Sequence, residues 1–429
     1  MSTYFLKDLN FSKLDVFQFV VYLGLFCYFI SQAAIYSPDT YTYWHLNIYR
    51  YPVYGLFLRT MDFLFGSYYN LSIVGFQLVF GFFAVYVFLR KIKPLLNLSL
   101  IPFLILFALL VFPFFPPLSV ANNITSEGLS YPLYLLVTIA SLKLLFENKT
   151  KEIILLTIAY IALCLTRGQF ILFAPMVAFL FALKYKKEAF KASKLKILIL
   201  LILLPFFVSF LDSSYRKIVH GHYTSTPYTF INALTLPLYL SDEKDANLFS
   251  EKEAQQIFSE TYTRIDSLGL LSHKVGGTLQ QRYKVFHDNF PYICNQTFQI
   301  KGENYYLNQG NHIWESTILT EKTAKRMFPI LFKEHYKEWI QLYFTSIFHG
   351  FGSVILFVFM VLLFIYNGIK SLKSFNLYNG LLFFSSILIL SNAFITAFAV
   401  HTIIRYTFYN LAFCFIIVFL ITRKSISKL

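Results

Sequence analysis

Ten runs of apolar residues, each long enough or nearly long enough to cross a bilayer, leave few folds open to this chain. They lie at about 16–36, 71–89, 98–117, 129–146, 153–166, 169–183, 197–211, 341–366, 379–400 and 406–422. A spanning helix takes about 20 mostly apolar residues. The expected fold is therefore an all-α polytopic membrane protein with about ten transmembrane helices. The runs 153–166 and 169–183 are short and also read as one re-entrant pair. Composition agrees: 57% of the residues are hydrophobic and 14% charged, against about 25% charged in soluble domains. That excludes a soluble enzyme, a disordered chain and a disulfide scaffold. Two acids, Asp8 and Asp15, precede the first run and no small-residue cleavage site follows it, so the first run is expected to stay as a signal anchor.

The charges orient the bundle. Alternate connections carry Lys7 and Lys13; Arg90, Lys91 and Lys93; Lys143, Lys149 and Lys151; Lys184 through Lys196; Lys370 and Lys373; and Arg423, Lys424 and Lys428. The short connections on the other side hold only Arg50, Arg59, Arg167 and Arg405. The positive-inside rule then puts both termini in the cytoplasm. The expected home is a plasma (inner) membrane. By the same alternation the long connection 212–340 faces outward, and its 14 basic and 14 acidic residues cancel. The net charge of +15 is thus topogenic charge at the inner leaflet, so no nucleic acid is expected as a partner.

Three parts follow: a transmembrane bundle 1–211 containing a first outer loop 37–70, an extracytoplasmic domain 212–340 inserted between the seventh and eighth spans, and C-terminal helices 341–429. In the inserted domain 250–271 and 315–344 read as helices. Ser250 and Glu253 stand at capping-box spacing, and Pro329 marks an expected kink where the second helix runs into the eighth span. The part between, 276–312, is rich in Gly, Asn, Gln and Tyr and reads as loops or short strands, making the domain mixed. Cys27, Cys164 and Cys414 fall in spans and Cys294 is alone in the outer domain, so no bridge is implied. His220 and His222 read as polar surface residues. No metal-ligand spacing is present.

Charges at membrane depth are costly and therefore informative. Outside the inserted domain the outer face holds three acids: Asp39, Asp62 and Glu127. Asp39 lies in Ser37-Pro38-Asp39-Thr40-Tyr41, and the loop continues through Tyr49-Arg50-Tyr51-Pro52-Val53-Tyr54 toward an interfacial helix. Glu127 lies in Thr125-Ser126-Glu127-Gly128 before the fourth span. Arg167 follows the fifth span, and Arg405 sits in His401-Thr402-Ile403-Ile404-Arg405-Tyr406. Any one of these is readable as an interface-anchoring charge, and Asp62 most readily so. Together they offer a carboxylate able to take a proton from an attacking hydroxyl and arginine forks able to hold a phosphate.

The order Pro-Asp-x-x-x-Tyr, then Arg-x-Pro-x-Tyr-x-x-Phe-Leu, resembles the first outer loop of GT-C superfamily glycosyltransferases. The Thr-Ser-Glu before the fourth span and the late Arg-Tyr pair are similar to further positions of that superfamily, as is the stretch Lys333–Leu342 leading into a span. The resemblance covers about two-thirds of the chain by layout. It implies transfer of a sugar from a polyprenyl-phosphate donor to a glycan, lipid or protein acceptor outside the cytoplasm. By carry-over Asp39 is the general base or an acceptor-orienting acid, and Glu127 a second catalytic-site acid that supports the acceptor or a metal. Arg405, Arg167 and Arg50 bind the donor phosphate, and Tyr41, Tyr54, Tyr406 and His401 line the substrate. The need for a cofactor stays open: a divalent cation shared by Asp39 and Glu127 is one option. Protein O-mannosyltransferases and aminoarabinose transferases usually pair Asp with Glu in this loop, whereas Asp39 precedes Thr40.

Three other readings stand beside this one. An O-antigen ligase or polymerase would use Arg216, Arg282, His220 and His222 of the long outer segment. A transporter or flippase would place ionisable groups near the midplane and show repeat symmetry, and neither is evident. A non-catalytic scaffold needs no convergent acids.

Overall fold

The computed structural model describes residues 12–426, and no strand occurs among them. The chain has the architecture of a polytopic helical membrane protein. Eight helices among the described residues are long and apolar enough to cross a membrane: Lys13–Ile30, Pro52–Leu96, Glu127–Phe146, Gly168–Phe190, Ala192–His220, Val354–Lys373, Leu377–Ala399 and Ile404–Lys424. Two of the ten expected spans fall short. The run 98–117 folds as an apolar helix over Leu100–Phe114, and 153–166 is a helix of 14 residues, Ile153–Thr166.

The described residues divide into two compact units. The first runs to Leu46 and resumes at Val53–Arg167; the second takes Asn47–Pro52 and the chain from Gly168 onward. In the first lie α1 (Lys13–Ile30), α2 (Pro38–Trp44), α3 (Pro52–Phe65), α4 (Tyr69–Leu96), α5 (Leu100–Val111), α6 (Glu127–Phe146) and α7 (Ile153–Thr166). Its centre is α6, which packs on α4 and α7. The most apolar stretch of α6 is 78% buried, against 11% for α1. A helix that is apolar all round needs cover from protein or lipid, and for α1 little of that cover comes from the protein.

The second unit holds α8 (Phe173–Tyr185), α9 (Ala192–His220), α10 (Thr229–Ala233), α11 (Thr235–Leu240), α12 (Lys252–Ser267), α13 (Ser272–Val275) and α14 (Leu279–Ile293). It continues with α15 (Ile300–Leu307), α16 (Ile313–Glu334), α17 (Tyr336–Phe351), α18 (Val354–Lys373), α19 (Leu377–Ala399), α20 (Ile404–Thr407) and α21 (Leu411–Ile426). Residues between Ile231 and Leu342 share one core, built on Phe258, Phe286, Phe298, Met327 and Trp339. Each such side chain contributes about 2 kcal/mol by leaving water. The inserted domain is all helical: 276–312, expected as loops or short strands, forms α14, a π-helical turn Cys294–Gln299 and α15.

The cap expected from Ser250 does not form; α12 starts after Glu251, and Glu253 instead bonds Arg326. Pro329 is carried inside α16. The break comes at His335, whose side chain is drawn off by Asp245 at 2.7 Å. The run 341–366 is likewise not one helix. Gly352 takes a left-handed φ of 68° and ends α17, where a glycine adopts that geometry without a Cβ clash. Ser353 then caps α18 through the Ile355 amide at 3.1 Å. The segment long and apolar enough to cross is Val354–Lys373.

Candidate functional site

In the first unit the loops that carry Asp39 and Glu127 are laced together. The Ile35 amide donates to Asn122 O at 2.7 Å, and the Ile124 amide donates back to Ile35 O at 3.0 Å. The Thr40 hydroxyl, one residue beyond Asp39, donates to Ile124 O at 2.9 Å. Asn122 Nδ2 donates to Phe29 O at 2.9 Å, tying the same loop to the end of α1. Asp39 itself sits in the first turn of α2, where the helix dipole favours a carboxylate.

A buried amide fixes this lacing from below. Gln77 of α4 is fully buried; its Nε2 donates to Ala121 O at 2.6 Å, and its Oε1 accepts from Tyr54 at 3.0 Å. Gly128 is what lets α6 lie against that amide, since a Cβ there would collide with the Gln77 side chain. Gly55 does the same between α3 and α2, because its Cβ would stand 2.7 Å from Tyr43 O.

Glu127 opens α6 and is ion-paired with Arg167, the residue that ends α7. Their side chains are 3% and 11% exposed, and Arg167 also donates to Ser126 Oγ at 3.3 Å. The acid and one of the arginines picked from sequence are therefore partners. Tyr41 is 59% exposed on α2, with Tyr36 beside it at 6.1 Å between ring centroids. Tyr54, expected to line a substrate, is instead buried in the unit's core. Among the described residues no group of three or more His, Cys, Asp or Glu side chains is placed to hold a metal ion.

The other four selected residues lie in the second unit. Arg50 lies over the Tyr49 ring at 5.4 Å, and Tyr49 stacks on Tyr228 at 5.0 Å. The segment beneath them is clamped by Arg216, whose side chain is 0% exposed. Its Nε donates to Ile48 O at 2.8 Å and its Nη2 to Arg50 O at 2.9 Å and Thr226 Oγ1 at 2.7 Å. Asp212 pairs with Arg216 and accepts the Thr226 amide at 2.9 Å. Arg216 is thus committed to holding backbone. His220 packs edge-on against Trp314 at 5.3 Å.

Tyr406 presents its carbonyl to Asn392 Nδ2 at 2.9 Å, beside Arg405 on α20. His401 stacks on Phe290 and meets His287, each at under 5 Å between centroids. Two further titrating groups lie in the inserted domain. Burial raises Glu321 to about 7 although it accepts the Phe230 and Ile231 amides. The Asp245 carboxylate raises His335.

The sequence reading passed over Gln77, Asn122, His287 and His349. Gln77 left a signal, as the lone amide in an otherwise apolar run; buried polar groups in spans are functional or structural fixtures. No family model, no curated protein and no solved structure matches the chain.

Proposed function

We propose that this chain is an integral-membrane glycosyltransferase of GT-C-like fold, moving a sugar from a polyprenyl-phosphate donor to a glycan, lipid or protein acceptor. Its termini lie in the cytoplasm and its reaction face outside, in a plasma membrane. The observation that carries the reading is the lacing of the Asp39 loop to the Glu127 loop through Ile35, Thr40, Asn122 and Ile124. It ties together, within one unit, the loops that carry two carboxylates 88 positions apart in sequence.

In the reaction Asp39 takes the proton of the acceptor hydroxyl. That oxygen attacks the anomeric carbon from the face opposite the phosphate. The carbon–oxygen bond to phosphate breaks, its electron pair leaves on the polyprenyl phosphate, and the anomeric configuration inverts. Glu127 orients the acceptor, and Arg167 is its ion-pair partner. By the resemblance alone, Arg405 or Arg50 is the donor-phosphate ligand, where a guanidinium fork matches two oxygens.

The test is incubation of the purified chain with radiolabelled polyprenyl-phosphate sugars and an acceptor extract, followed by anomeric analysis of the product. Label moving from the lipid with inversion is expected. No transfer from any lipid-linked donor, or transfer only from a sugar nucleotide, would sink the proposal.

A further inference from the structure

Three histidines meet where α14, α17 and the turn before α20 pack together. The His287 ring centroid lies 4.7 Å from that of His349 and 4.7 Å from that of His401. His401 is also stacked nearly parallel on Phe290, at 4.8 Å and 5°. Its Nδ1 is buried with no hydrogen-bond partner among the described residues. A chain of hydroxyls docks the same turn on α17. Tyr283 and Ser346 share a hydrogen bond of 2.9 Å, Ser346 and Thr402 one of 3.0 Å, and the Thr402 amide donates to Tyr283 at 3.4 Å. Gly350 lets α17 approach closely, because a Cβ there would collide with the Thr402 methyl.

Few charges are available to a proton on these rings. On α14 the neighbours are Lys284 and Asp288, which pair with each other at 2.7 Å; α17 brings His349. Neither α11 nor α19 carries a charged residue. The His273 and Lys274 of α13 are paired with Asp242 and Asp266, and His335, just ahead of α17, is taken by Asp245. Arg405 lies four residues after His401, on α20. Protonated His287 and His401 would be two cations in ring contact with no unpaired carboxylate beside them.

We infer that the His287–His401 contact is an acid-sensitive latch, in which neutral imidazoles hold the 400–403 turn and so position Arg405, and protonation releases it. The consequence for the donor phosphate rests on the glycosyltransferase reading; the latch itself does not. Burial and the neighbouring imidazoles pull both groups down, His401 to about 4. Each therefore sits below its unfolded value of 6.5. Stability from the latch is complete above that value and is lost as pH falls through it toward the folded one.

Hydrogen–deuterium exchange of the full-length protein in lipid nanodiscs tests this, with peptides covering 398–410 compared at pH 7.5 and 5.5 after correction for intrinsic rates. Protection of the 400–403 amides in the wild type should fall roughly tenfold, the scale of one unit of proton linkage. It should stay constant in His401→Phe, which keeps the stack on Phe290, and in His287→Phe. Unchanged protection in the wild type, or an equal fall in both variants, would overturn the latch. A donor KM that rises in acid in wild type but not in His401→Phe supports the link to Arg405. A flat KM beside an acid-labile turn would instead remove Arg405 from the donor site and leave the latch standing.

Discussion

Among the described residues each unit holds one arginine–carboxylate pair at 11% exposure or less, and the two pairs sit in different surroundings. Asp212–Arg216 is sealed, with Arg216 at 0% exposure. Its donors run to the Ile48 and Arg50 carbonyls and the Thr226 hydroxyl, so the guanidinium works as a clamp on a distant stretch of backbone. Glu127–Arg167 stands at the start of α6, beside a loop already fixed by Ile35 and Thr40, and Arg167 keeps 11% of its surface open. The Arg216 guanidinium builds scaffold, whereas Arg167 holds a carboxylate whose loop is laced to the loop of Asp39, which the proposed reaction would use.

The largest expected effect comes from breaking the clamp. Arg216→Met should cost about 3–5 kcal/mol, because Asp212 is left as an uncompensated buried charge. Thermal unfolding in detergent will show this as a large drop in midpoint. Arg216→Lys should lose nearly as much, since an ammonium cannot bridge two carbonyls and a hydroxyl in one plane. Arg167→Lys should keep most of the stability while lowering transfer. If Arg216→Lys melts like the wild type, the contrast between the pairs collapses.

A middle-sized effect is expected at Gly128. Its replacement by alanine drives a methyl into the Gln77 side chain and should cost about 1–3 kcal/mol, as overpacking does. Adding Gln77→Ala should return part of that loss in the same melting assay. A neutral Gly128→Ala variant would remove Gln77 as the support of the acid loops.

The smallest effect separates two histidine sites of opposite sign. His335 is raised by Asp245, so its charged hydrogen bond stabilises fully below the unfolded value near 6.5. That stabilisation fades as pH rises through the folded value. His335→Gln should therefore cost about 1 kcal/mol at pH 5.5 and less at pH 8.5. The histidine latch behaves in reverse, weakening toward acid. Equal losses at both pH values would take His335 out of this scheme.

The helices were legible because each needs only a run of apolar residues, a local property. Where a run contains its own stop, the reading failed: Gly352 and Ser353 are inconspicuous inside 341–366, yet one ends α17 and the other caps α18. The region 276–312 misled for a related reason. Its Gly, Asn and Tyr weaken helix propensity, but the aromatic residues Tyr283, Phe286, Phe298 and Tyr306 meet a common core, and tertiary burial overrides propensity. Among the site residues, Asp39, Glu127 and Arg167 stood out as charges where charges are costly. That Glu127 pairs with Arg167, that Tyr54 is buried against Gln77, and that His401 finds His287 are contacts between distant positions, which spacing along one chain does not encode.

The most direct measurement is the rate of sugar transfer from a polyprenyl-phosphate donor by Asp39→Asn, per molecule of protein shown by melting to be folded. Asp39 is partly exposed on a two-turn helix, and asparagine matches its size, so the substituted chain should still fold. The account predicts a loss of about a hundredfold or more, the usual contribution of a general base. Wild-type turnover by the folded variant would contradict it and move the chemistry away from the laced loops.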